Sequence, residues 1–256
     1  MKIWQLFENF NLAELNANFA ELLASVNGAK ATYLTANKSV YVATTGNDTT
    51  GDGTSGNPYK TIAKGLSVIP KNLNGYDATL YIAGGTYAES VLIRGFHGGI
   101  LLVAFSGNVT INSILIYSTQ FAYIYGSSSM IMTLISTASN PITVSNKSSL
   151  FMPSSISTII NTSTARTGMF VAEDSNANVL GTMTVNNANY ALRAASSKVF
   201  VGTLAGSGNN YSIVGTEGAS ISYGTKTISA TTDHVLTGGS IITNDLLSNT
   251  ATQWNE

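Results

Sequence analysis

A repeat of about twenty-one residues, running from Thr79 towards the C-terminus, limits most strongly what this chain can fold into. Segments open at Thr79 (TLYIAGG), Ile100 (ILLVAFS), Ala122 (AYIYGSS), Leu150 (LFMPSSI), Ala177 (ANVLGTM), Lys198 (KVFVGTL) and Ser220 (SISYGTK). Successive openings are 21, 22, 28, 27, 21 and 22 residues apart. The fifth residue of each is small: Ala83, Ala104, Gly126, Ser154, Gly181, Gly202 and Gly224. A corner where one layer stacks under the next leaves little room for a side chain, so this column has a physical reason. A second register supports it, since "NYALRA" at Asn189 and "NYSIVG" at Asn210 also stand 21 apart. Such a period with β-branched runs fits a solenoid. The fixed Leu/Asn pattern of leucine-rich repeats is missing. The expected fold is therefore all-β, a right-handed parallel β-helix of about seven turns, roughly 34 Å long at the ~4.8 Å strand spacing.

Within the segments, positions two to four are apolar together, as in Leu80-Tyr81-Ile82, Tyr123-Ile124-Tyr125 and Val199-Phe200-Val201. Side chains of a strand alternate between its faces, so a continuous apolar run predicts a face covered on both sides. A second copy of the chain is the economical cover. Composition agrees: charged residues are 10% of the chain, against about 25% in an ordinary soluble domain. The stretch from Gly95 to Asn146 contains no Asp, Glu, Lys or Arg. A net charge of -1 gives no field to attract nucleic acid. No window supplies the ~20 apolar residues of a membrane helix. Neither nucleic-acid binding nor membrane insertion is expected. The apolar patch after Lys2 is interrupted by Glu8, so a signal peptide is not expected either. With no cysteine there are no disulfides or thiolate metal sites.

The segment "NFNLAELNANFAELLASVNG" carries helix start and stop signals: Asn11 as N-cap with Glu14 three residues on, and Gly28 as C-cap. Leu12, Leu15, Phe19, Leu22 and Val26 follow 3-4 spacing, which predicts a short coiled-coil seam between identical copies. Residues 1–36 are thus read as an oligomerising, attaching segment. Residues 37–78 are read as the N-terminal cap, 79–244 as the β-helix and 245–256 as a tail.

"GNDTTGDGTSGNP", within the cap, invites three readings. A phosphate loop needs Lys and Ser/Thr after its last Gly, but Asn57 and Pro58 follow Gly56. No long helix and parallel βαβ unit follows to make a dinucleotide fold. Asp48, Thr50, Asp52 and Gly53 match the opening of a calcium loop, yet Tyr59 stands where a bidentate Glu is required. Asp48 and Asp52 therefore remain only an alternative metal pair. No cofactor is expected, and Asn in place of both is expected to leave thermal stability unchanged. "NPYKTIAKGLSVIP" predicts a short capping helix with Ile62, Leu66 and Ile69 on one face, plugging the solenoid end.

"YVATTGNDTTGDGTSGNPYKTIAKGL" followed by "LYIAGGTYAESVLIRG" resembles the opening of pectate-lyase-like right-handed β-helix proteins, frequent in bacteriophage tailspikes and tail appendages. "LNANFAELLASVNG" is similar to short trimerising helices of phage tail fibres. The resemblance covers roughly Leu12 to Gly95. It implies a homotrimeric virion appendage, assembled in the host cytoplasm, that joins other tail or baseplate proteins and attaches to the host surface, often its polysaccharide. The chain is shorter than the long tailspikes and shows no distal trimerisation or lectin domain.

Polysaccharide depolymerases of this type need paired carboxylates. Aligning "FVAED", "LRAAS" and "IVGTE" puts Asp174, Ser196 and Glu217 in one column. The two acids would be two turns, about 9.6 Å, apart, at the edge of the ~6.5–9.5 Å of inverting hydrolysis. Arg193 is close enough in sequence to bind an acidic sugar or pair with either acid. Turn carboxylates of a charge-poor chain also serve solubility alone, so an attachment protein without catalysis is the leading expectation. A depolymerase is the alternative, and a bacterial surface adhesin a third. Tyr117, Phe121, Tyr123 and Tyr125 form the densest aromatic cluster, either a subunit contact or a glycan platform. His97 and His234 are far apart in sequence, and neither suggests a triad or metal site.

Overall fold

β-branched and aromatic residues alternate with small polar ones from Lys38 onward and build short strands, which Gly, Asn, Asp and Ser interrupt. The computed structural model describes residues 33–127, 129–136, 138–244, 252 and 253, and residue 19. The order begins β1 (Lys38–Val42), α1 (Ile62–Ser67), β2 (Ala78–Ile82), β3 (Gly85–Arg94), β4 (Leu101–Phe105) and β5 (Val109–Tyr117). It continues β6 (Ala122–Gly126), β7 (Met130–Ile135), β8 (Ile142–Ser145), β9 (Ser149–Met152), β10 (Ile156–Asn161) and β11 (Thr167–Val171). It ends β12 (Asn176–Asn186), β13 (Tyr190–Ala195), β14 (Lys198–Thr216), β15 (Ser220–Leu236), β16 (Ile241–Asn244) and β17 (Thr252–Gln253).

Each strand pairs in parallel with the one a turn away, apart from the antiparallel β17. The first face stacks β1, β2, β4, β6 and β9, then the starts of β12, β14 and β15, then β16. The second face holds the starts of β3 and β5, then β7, β10, the end of β12 and the middle parts of β14 and β15. The third holds the ends of β3 and β5, then β8, β11, β13 and the ends of β14 and β15. The protein is thus an all-β parallel solenoid of about seven turns with almost no helix. No described helix is long and apolar enough to cross a membrane.

The core fills the tube. One inner column reads Leu101, Ala122, Leu150, Ala177, Val199 and Ile221, all buried. Large and small side chains alternate along its first four layers, so neighbouring layers interdigitate. Each buried Leu or Ile contributes about 1.5–3 kcal/mol. The apolar runs resolve by parity: Leu80 and Ile82 are fully buried, while Tyr81 between them is 36% exposed. At the small-residue corner a Cβ on Gly181, Gly202 or Gly224 would collide with the carbonyl oxygen of Ile156, Leu180 or Gly202 respectively. The register moves some segment openings: Thr79 stands beside Leu102, and Ala177 beside Val199. Pairing holds the strands in step, whereas the corners differ in length. One takes a single left-handed residue at Ser196, another two at Glu173 and Asp174.

The seam positions Leu12, Leu15, Leu22 and Val26 lie outside the described residues, and Phe19 is 55% exposed. The helix expected to precede the solenoid as a separate cap does not do so. β1 comes before it and pairs in register with β2, and α1 is six residues within the first turn. Ile62, Leu66 and Ile69 are buried. The Gly/Asp loop covers the free edge of β1. Tyr41 N–H donates to Gly53 O at 2.9 Å, Tyr59 N–H to Tyr41 O at 3.0 Å and Ala43 N–H to Tyr59 O at 2.9 Å. An exposed strand edge is a template for unwanted pairing, and these bonds occupy it.

Candidate functional site

Asp48 and Asp52 sit in that loop with their carboxylates engaged. Asp48 accepts from Lys60 N–H at 2.8 Å, Thr61 N–H at 3.0 Å and the Thr61 hydroxyl at 2.8 Å. Partial burial raises its pKa, but the Thr61 and Lys60 hydrogen bonds outweigh that and hold it below the usual carboxylate range. Asp52 accepts from Thr54 N–H at 2.9 Å and the Thr54 hydroxyl at 2.7 Å, and these bonds lower its pKa. Glu89 accepts from Ile62 N–H and Ala63 N–H, both at 2.9 Å, so the start of α1 is held by three side chains, Thr61 being its N-cap. No group of three or more His, Cys, Asp or Glu placed to hold a metal occurs among the described residues.

The outer side of the first face gathers aromatic residues from separate turns. Tyr41 and Tyr81 stack with ring centroids 4.8 Å apart. Tyr123 stacks on Phe151 at 4.9 Å and meets Tyr125 edge-on at 5.6 Å. The two stacked pairs face each other across parallel strands in register, so the ~4.8 Å strand spacing sets the stacking distance. Burial pushes the Tyr125 hydroxyl up, with Tyr81 and Tyr123 adding to the shift. The aromatic cluster anticipated from sequence is therefore divided. Tyr123 and Tyr125 join Tyr41, Tyr81 and Phe151. Tyr117 belongs to the third face, opposite Arg94. Phe121 lines a small groove of about 350 Å³ with Gly98, Gly99, Ile100 and Gln120.

Asp174 and Glu217 occupy one corner of the solenoid, both with left-handed backbone at φ 56° and 58°. Asp174 N–H donates to Ser196 O at 3.1 Å, and the Ser196 hydroxyl donates to Glu217 Oε2 at 3.1 Å, so Ser196 touches both, although the strands set Met169, and not Phe170, beside Leu192, one residue off the alignment. Two open grooves adjoin at Asp174. One of about 390 Å³ is lined by Asn146, Lys147, Glu173 and Asp174. The other, about 320 Å³, runs from Asp174 past Ser196 and Lys198 to Ser220. This is a shallow, mixed-charge, hydroxyl-rich channel suited to hydrogen bonding with a sugar chain. Arg193 lies over the rings of Phe170 and Tyr190, at 5.4 and 5.7 Å.

Two features escaped the sequence. Inside the same corner, buried hydroxyls cap the turn beneath: Thr119 N–H donates to Ser148 Oγ at 3.1 Å, Ser148 N–H to Ser175 Oγ at 3.1 Å and Ser175 N–H to Ser197 Oγ at 3.3 Å. At the far end His234 is not isolated: its Nδ1 is 3.2 Å from Asp233 and its Nε2 3.2 Å from Lys226 Nζ. The adjacent pair Asp233-His234 was the available signal. Searches of protein families, of curated proteins and of solved structures find no match for this chain.

Proposed function

We propose that the protein is a structural subunit of a phage virion appendage of the tail-fibre or tailspike type, a homotrimer that attaches to the host surface. The observation that carries this reading is the aromatic ladder on the outer side of the first face, half exposed in a single chain and without a charged residue among Tyr41, Tyr81, Tyr123, Tyr125 and Phe151. Large half-exposed aromatic surfaces mark contacts with partners. The 3-4 spacing from Leu12 to Val26 supports association of identical copies. A solenoid also suits attachment, because it presents side chains at fixed intervals along a rod. The reading is tested by incubating the purified protein with capsule or lipopolysaccharide of candidate hosts. Retention on the polysaccharide without released oligosaccharide is the expected outcome, and absence of binding across hosts would count against attachment.

A second reading, polysaccharide depolymerase, is favoured by one observation: Asp174 lines both grooves, and Ser196, which lines one of them, donates its hydroxyl to Glu217. Release of oligosaccharide by the wild type that is lost on Asp174→Ala/Glu217→Ala substitution would establish it in place of the first.

A further inference from the structure

Two inner columns of the solenoid end in ionisable residues. On the second face the column runs Met132, Thr158, Met183, Leu204 and then Lys226. On the third it runs Ile142, Met169, Leu192, Ile213 and then His234. Leu204 and Ile213 are fully buried. The lysine and the histidine thus stand directly above the last apolar layer, where a further apolar layer would continue the core. Asp233 lies between them over the buried Ser212, whose hydroxyl donates to its carboxylate at 2.7 Å. Lys226 pairs with Asp233, and its side chain is only 15% exposed. His234 contacts both, and the Lys226 ammonium also lies 6.0 Å from the Tyr223 ring.

Among the described residues the same turn carries an open edge. β15 pairs along its length with β14, but on its other side its pairing with β16 covers Ser220 to Tyr223. Among the described residues no strand pairs with that side of 225–236. The edge of β16 is closed by β17 at Ile241 and Ile242, and at the opposite end of the solenoid the edge of β1 is closed by the 53–59 loop. An open edge recruits further strands unless something prevents it, and charged side chains turned into the core are one such device. A strand added beyond β15 would bury Lys226, Asp233 and His234 beneath its own inner side chains and strip them of water. Ions placed in an apolar interior are strongly disfavoured even when paired.

We propose that the Lys226–Asp233–His234 cluster is a built stop, which ends the solenoid and keeps its open edge from pairing with the edge of a second copy of this chain. The test compares particle mass by light scattering, over rising concentration, for the full-length wild type and a Lys226→Leu/Asp233→Thr/His234→Val variant, with far-ultraviolet circular dichroism on each. The wild type is expected to hold one mass, whatever its subunit number. The variant is expected to keep its sheet signal and grow to at least twice the wild-type mass. A folded triple variant with the wild-type mass overturns the proposal. Lys226→Met/Asp233→Asn, which removes both paired charges and keeps both side chains close to their native size, decides the matter if the triple variant does not fold: growth supports the proposal and an unchanged mass overturns it. Loss of the sheet signal in Lys226→Met/Asp233→Asn would show a cluster that holds the fold together instead of guarding its edge, and also overturns the proposal.

Discussion

Asp48 accepts three hydrogen bonds from a segment twelve and thirteen residues away, and that changes what its loss should do. The expectation that Asn substitutions leave stability untouched gave these carboxylates no structural role. With the start of α1 hung on the carboxylate, Asp48→Ala is expected to cost about 1–2 kcal/mol in a denaturant titration. Asp52→Ala, which loses only bonds to Thr54, should cost less. Since hydrogen bonding keeps the folded pKa of Asp48 below its unfolded value of ~3.9, its contribution is complete above that value and fades as pH falls through the folded pKa. The Asp, Gly and Asn of this loop were legible as turn formers because their preferences are local. Glu89 was not, because it reaches Ile62 across 27 residues, and only the stacked turn brings the two together. Gly202 marks the opposite case, where a sequence pattern alone located a steric limit. Gly202→Ala, aimed at the Leu180 carbonyl, should destabilise by more than about 2 kcal/mol.

Among the elements, the corners were read less well than the strands. Strand order follows from a repeat near 21, which survives variation in the turns, whereas the continuous apolar runs left the inward parity open until burial separated Leu80 and Ile82 from Tyr81. The buried hydroxyl column did not emerge, although Ser148, Ser175 and Ser197 each stand two residues before Leu150, Ala177 and Val199. Aligning Ala177 with Lys198 in place of Val199 shifted the column by one residue and hid it. Ser175→Ala should strand the buried N–H of Ser148 and cost about 1–3 kcal/mol. Ser196→Ala, on the outer side of the same corner, should stay within about 0.5 kcal/mol. The last turn adds a pH dependence. Burial, and then Lys226, hold the pKa of His234 below its ordinary value, with Asp233 opposing them. The unfolded chain therefore binds the proton more readily. The contribution of neutral His234 is complete above the unfolded value near 6.5 and is lost as pH falls towards the folded one. Protection of the amides in 225–236, taken relative to the intrinsic exchange rate at each pH, should fall across that window, and in His234→Gln it should not respond to pH there.

At the scale of the whole molecule, area sets the terms for the proposed association of copies through the aromatic face. A face about 34 Å long and one strand of roughly 17 Å wide presents about 580 Å². A stable interface takes ~800 Å² from each partner. Face pairing alone would therefore be weak, and a seam of two heptads is also short for a coiled coil. A stable trimer needs both contributions. Light scattering of the intact chain should then report about three times 26.8 kDa, and a clean monomer at micromolar concentration would exclude trimerisation. Leu15→Asp/Leu22→Asp should shift assembly to higher concentration without abolishing it. Tyr123→Ser/Phe151→Ser should do the same from the other surface, and all four changes together should leave a folded monomer. If the tyrosine and phenylalanine changes leave the mass untouched but remove binding to host polysaccharide, the ladder is a sugar platform and the copies are joined elsewhere.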